Sequence, residues 1–242
     1  MAEDQVARFV DEDLSGARFE RSTLARAVIR GGDVRGLEID APWLLGGPLT
    51  VNGVDVVPLV EAELNRRFPG RDLKRADDPE GLRTAWAALE RAWAAAVDQV
   101  RSMPEGSVDV SIDGEWSFAQ TLRHLVFATD AWLGKSVLQR PQPFHPLGQP
   151  HAEYETDGFD MSLFTTERPA FTEVLQVRAE RQAMVRDFLA TVTPQLLAEP
   201  RPTAWSPDHQ EPVLHALHVI LNEEWEHLRF ARRDLDAQAA RR

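Results

Sequence analysis

The sequence predicts a mainly α protein: a four-helix bundle preceded by a short β-solenoid of five-residue repeats and a β-hairpin. Three observations carry this reading. Apolar residues recur at helical spacing from about residue 78 onward. The first 40 residues instead repeat in fives, and two short β-type runs flank Asn52-Gly53. The expected segments are residues 1–42 for the repeats, 43–77 for the hairpin and a short linking helix, and 78–242 for the bundle.

In the first segment Phe9, Leu14, Phe19, Leu24, Ile29, Val34 and Ile39 follow one another at intervals of five. A small residue stands two positions earlier at Ala7, Ala17, Ser22, Ala27 and Gly32. Neither the helical period of 3.6 nor the strand period of 2 produces this interval. A fixed short repeat points to a solenoid that stacks one side chain per repeat inward. Residues 7–40 resemble the pentapeptide-repeat family, in which four repeats complete one coil. The resemblance therefore implies fewer than two coils here, too few to cover their own ends, and a role in structure or docking.

Residues 49–57, "LTVNGVDVV", read as a hairpin turning at Asn52-Gly53. "PLVEAELNRRFPG" then reads as a short helix from Pro58, stopped at Pro69-Gly70. Asp78-Pro79 is an N-cap and first-turn pair for a helix carrying Leu82, Trp86, Leu89, Trp93 and Val97 and ending before Met103-Pro104. Ser117 and Gln120 form a capping box that opens "SFAQTLRHLVFATDAWLGKSVL". A long connection, residues 139–170, leads to a third helix from about Thr172 to Val192, and Pro212 opens the fourth. Residues 193–212 read as loop or short helix. Four helices with long links suit a bundle.

Composition narrows the function. A net charge of -12 argues against a nucleic-acid partner, because phosphate binding needs clustered Lys and Arg. No apolar run is long enough to span a bilayer, and residues 1–13 lack the features of a signal peptide, so the expected location is the cytoplasm. Zero cysteines exclude disulfides, Cys-ligated metal and a protein thiol nucleophile. Thiol chemistry would need a thiol from solution.

The candidate site lies in "LNEEWEHLRF", residues 221–230. Leu217, Ile220, Leu221, Leu228 and Ala231 form the apolar flank of the last helix, with Glu223 and His227 at its edge, four residues apart. Such a pair shares one helix face about 6 Å apart along the axis, so a carboxylate and an imidazole can converge on one ion. His124 interrupts the apolar run of the second bundle helix. If the two helices face each other, His124, Glu223 and His227 supply two nitrogens and one oxygen, the open three-ligand arrangement of catalytic zinc. Iron(II) or nickel is served by the same donors. A satisfied core histidine is the rival reading of His124. Asp130, Glu224 and Glu226 read as surface or helix-pairing charges, and Arg123 and Arg229 as solvated or acid-binding. His145 and His151 in the long connection could line the mouth of the site. The tryptophans read as packing residues, with Trp116 and Trp132 bracketing the His124 helix.

"WSFAQTLRHLVFATDAW" and "HVILNEEWEHLRFARRDL" resemble the two signature helices of the DinB-like (DinB/YfiT) superfamily of metal-binding four-helix bundles. The likeness covers roughly residues 78–236. It implies a divalent metal on His124, Glu223 and His227. Many members of the superfamily have His where this chain has Glu223; a Glu there is similar to the mycothiol-dependent maleylpyruvate isomerase branch. The resemblance further implies a low-molecular-weight thiol, of the mycothiol or bacillithiol type, as cosubstrate. The expected activity is thiol-dependent S-transfer or isomerisation of a small electrophile, in a protein that pairs as a homodimer. The alternatives are a metal-binding stress or scaffold protein without turnover, and a metal-dependent hydrolase.

Overall fold

Helix ends in the larger part of the chain lie where side-chain caps place them. The structure, a computed structural model, describes residues 7–241 apart from 21, 43 and 207, with residue 45 described in its backbone. Helix α2, Pro79–Arg101, starts at Asp78, whose carboxylate accepts from the amides of Glu80 and Gly81 at 2.9 and 3.0 Å. Helix α3, Phe118–Thr129, starts with the reciprocal box: Ser117 Oγ accepts from the Gln120 amide, and Gln120 Oε1 accepts from the Ser117 amide. Helices α4 (Phe171–Thr191) and α6 (Val213–Ala240) complete the bundle. Helices α2 and α3 each pack on α4 and α6, which closes a four-membered ring around Leu89, Trp93, Leu122, Leu125, Trp225 and Leu228.

Three features depart from the sequence reading. The helix expected to continue to residue 138 winds as a π-helix over Asp130–Val137, with the Leu138 amide reaching back five residues to Leu133 O at 2.8 Å. There Asp130 is buried and takes up Arg181 Nε at 2.7 Å and the His145 amide at 2.8 Å. Residues 193–212 hold more order than expected: a short helix α5, Pro194–Ala198, and an antiparallel pair of strands, Pro200–Pro202 with Gln210–Pro212. Glu224 and Glu226 are both buried, so of the two readings, surface or helix-pairing, the surface one fails. Glu224 meets Arg178 Nη2 at 2.5 Å across the middle of the bundle, so it pairs α6 with α4.

Ahead of the bundle, β1 (Thr50–Val51) and β2 (Val54–Asp55) pair as a hairpin. Both turn residues have positive φ, 50° at Asn52 and 84° at Gly53, the twist that joins such strands and that Asn-Gly tolerates best. Helix α1 follows at Val57–Arg67. A tight 3-10 turn, Arg71–Arg75, then docks on α2 and α6. Buried Arg71 fastens it, holding Glu61 at 2.8 and 3.0 Å and Glu226 at 3.3 Å.

Backbone contacts divide the chain into two units, Met1–Ala41 and Pro42–Arg242. In the first, no helix or strand occurs among the described residues, and residues 1–6 of the expected repeat segment lie outside them. Turns recur every ten residues, closed by Ala17 N to Leu14 O, Ala27 N to Leu24 O and Leu37 N to Val34 O. All seven repeat centres are exposed, where inward stacking was expected. So few repeats offer no neighbouring layer against which to bury them.

Candidate metal centre

His124 reaches the site because α3 packs on α6 and places it, with Leu125 and Phe127, on the buried side of the bundle. Its Nε2 lies 3.5 Å from Glu223 Oε2. His227, one turn along α6, puts Nδ1 3.4 Å from the same oxygen. The two imidazole centroids are 4.7 Å apart. Each of the three residues offers a ligand atom within 4.8 Å of the others. The expected trio is therefore brought together by two segments about 100 residues apart in sequence.

Backbone carbonyls set the histidine tautomers. His124 Nδ1 is 2.9 Å from Gln149 O, and His227 Nδ1 is 2.8 Å from Glu223 O. A carbonyl can only accept, so both Nδ1 atoms carry a proton, which leaves Nε2 as the ligand atom when the imidazole is neutral. Burial, reinforced by the neighbouring His124, pushes the His227 pKa down to about 4, which keeps that imidazole neutral and able to coordinate. Burial raises the Glu223 pKa, but His124 and His227 outweigh it, and the carboxyl ends below its usual range. Two imidazoles and one carboxylate at this spacing form a group able to hold a divalent metal ion. The side chains of His124, His227 and Glu223 retain 9, 15 and 20% of their exposure, so the trio opens toward solvent.

Aromatic rings frame the opening. Trp116 lies over both imidazoles, 4.6 Å from His124 and 6.1 Å from His227. Phe127 flanks His124 at 5.9 Å, and Phe230 meets His227 edge-on at 6.0 Å. Trp132, the other bracketing tryptophan, turns instead to His215. The long connection contributes directly. Arg123 Nε donates to Leu147 O, Gln149 N donates to Arg123 O, and Gln149 O holds His124. Arg123 is thus a structural tie. His151, two residues on, packs against the Phe127 ring that also touches His124. His145 is turned away, its ring accepting from the Leu147 amide. Arg229 pairs with Glu226 and stacks on Phe230.

Residues 88–231 match the model of the DinB superfamily, a stretch that contains all three site residues and the four bundle helices in part or whole. The chain belongs to the DinB superfamily. No curated protein and no solved structure matches it. As a DinB superfamily member, it carries a His/Glu/His group able to bind a metal. No helix among the described residues is long and apolar enough to cross a membrane.

Proposed function

We propose that this DinB superfamily chain is a divalent-metal-dependent enzyme that uses a low-molecular-weight thiol, transferring sulfur to a small electrophile or isomerising it. One observation supports the reading most: two imidazoles, His124 through Nε2 and His227 through Nδ1, lie within 3.5 Å of one carboxylate oxygen in a site that keeps partial exposure to solvent. A zinc-type ion supplies Lewis acidity there, making the sulfur of a thiol nucleophilic at neutral pH. His124, Glu223 and His227 would hold the ion with a single carboxylate charge among them, which would leave a divalent ion partly positive and receptive to an anionic guest. Trp116 and Phe127 shield one side of it from water. His151 takes the proton a thiol gives up, and Asp157 Oδ2, 3.7 Å from His151 Nε2, stabilises the cation that results.

The Glu at position 223 supports the likeness to the mycothiol-dependent isomerase branch. The ligands also come from two packed helices, so an ion would pin α3 to α6 whether or not turnover follows; this favours the scaffold reading. Cobalt(II)-loaded protein separates the two. We expect one equivalent of cobalt, absent in a His124→Ala/His227→Ala variant, and a visible spectrum that changes with mycothiol, bacillithiol or glutathione. A bound cobalt whose spectrum ignores all three thiols supports the scaffold; no bound cobalt defeats both.

A further inference from the structure

We propose that the cleft between α2 and α4 is a second small-molecule site, for a small uncharged compound that carries a carbonyl oxygen. The cleft has a volume of about 240 Å³, and its walls come from Trp93 and Val97 of α2, Leu122 of α3 and Leu175 of α4. None of His124, Glu223 and His227 lines it. Arg178 does, and it is only 3% exposed. Its Nη2 donates to both oxygens of Glu224 at 2.5 Å, while Nε and Nη1 are buried with no hydrogen-bond partner among the described residues. Three buried N–H bonds are thus left without an acceptor, a state that folded proteins rarely leave unanswered. A small residue stands at each lip of the cleft, exposed Ala94 on α2 and exposed Ala179 on α4, and neither side chain is long enough to fill the mouth.

Size, polarity and charge define the occupant. An apolar cavity of about 150 Å³ takes up benzene, so 240 Å³ suits one ring with a substituent, about ten non-hydrogen atoms. The walls are mostly apolar and the unmet guanidinium groups are donors only, so the ligand presents an acceptor on an otherwise apolar body. Its charge is set by what already faces the cleft. Arg178 is neutralised by Glu224, Glu90 is held by Arg186 at 2.5 Å, and Asp98 stands 3.9 Å from Arg101. A carboxylate would bring a second negative charge beside the buried Glu224, with no cation left to answer it. A ketone or amide oxygen meets the same N–H bonds without that cost.

The probe is para-fluoroacetophenone, followed by fluorine NMR in titrations of the full chain loaded with zinc and, separately, treated with chelator. Saturable line broadening with a Kd of about 1 mM or tighter is expected, the same with zinc and with chelator. para-Fluorotoluene, which lacks the acceptor, and para-fluorobenzoate, which adds the charge, should each bind at least about tenfold more weakly. Ala94→Leu/Ala179→Leu fills the mouth from its exposed side and should weaken the ketone by at least about tenfold while the helical circular dichroism stays. No saturation by about 5 mM, fluorotoluene binding as well as the ketone, undiminished binding in the filled variant, or binding that chelator abolishes each overturns the proposal. Should the filled variant lose its helical signal, the methyl resonances of Val97, Leu122 and Leu175 in the natural chain decide. They shift on adding the ketone if it occupies the cleft, and unmoved methyls overturn the assignment. The outcome does not depend on metal or thiol.

Discussion

Acidification of the metal-free protein should act first on His227. In the unfolded chain its imidazole takes a proton near pH 6.5; in the folded chain burial delays this to about 4. Between those values the unfolded state binds more protons, so stability is fully present above pH 6.5 and is lost as the pH falls toward 4. One pKa unit is worth about 1.4 kcal/mol, so the loss reaches about 2 kcal/mol at pH 5 and about 3 at pH 4. Burial moves Asp130 and Glu224 the other way, raising their pKa values and adding stability on acidification. Those groups are shared with a His227→Gln variant and cancel in the comparison. Urea unfolding of both proteins at pH 7.5 and 5.0, with chelator present, isolates the histidine. The wild type should lose about 2 kcal/mol more than the variant. Equal losses would show that His227 is not held neutral by its surroundings, and the reasoning about its readiness as a ligand would fail.

Other perturbations follow from the same contacts. Arg178→Met strands the buried Glu224 carboxylate and should cost about 3 to 5 kcal/mol in thermal or urea unfolding, most of it recovered on adding Glu224→Gln. Trp116→Ala removes the ring that lies over both imidazoles and should weaken zinc affinity by about 10-fold in a competition titration while the helical signal stays. His151→Gln should leave cobalt binding within about twofold and lower thiol-dependent turnover by about 100-fold. A variant that lost cobalt binding would instead make His151 a structural residue. Asp78→Ala removes the carboxylate oxygen that accepts from two backbone amides at the start of α2 and should cost about 1 kcal/mol.

Much of the bundle was legible because local chemistry and global packing agree. Asp78 and Ser117 mark two helix starts through side chains that bond amides within three residues, information contained in a few letters. Leu82, Trp86, Leu89 and Trp93 repeat at the helical step and all are buried. The meeting of His124, Glu223 and His227 was legible because His124 interrupts an apolar run and the other two stand four apart at the edge of another. What could not be read depends on distant partners or on backbone. The π-turn after Thr129 accompanies Asp130 meeting Arg181, 51 residues away. The carbonyl of Gln149 that orients His124 carries no side-chain signature at all. Glu224 and Glu226 look like surface charges until Arg178 and Arg71 arrive from other segments to pair with them. The strand pair at 200–202 and 210–212 includes Pro200, Pro202 and Pro212, residues that argue against strands, and it forms as an isolated two-stranded ribbon. The five-residue repeat was visible, but its exposed centres were not, since spacing alone says nothing about what lies next to them.

X-ray absorption at the zinc edge of the loaded protein, with and without thiol, tests the central claim most directly. The account predicts a first shell of nitrogen and oxygen alone at about 2.0 to 2.2 Å, joined by one sulfur at about 2.3 Å when mycothiol or bacillithiol is added. A zinc shell with no two-imidazole signature, or one that never gains sulfur, would contradict it.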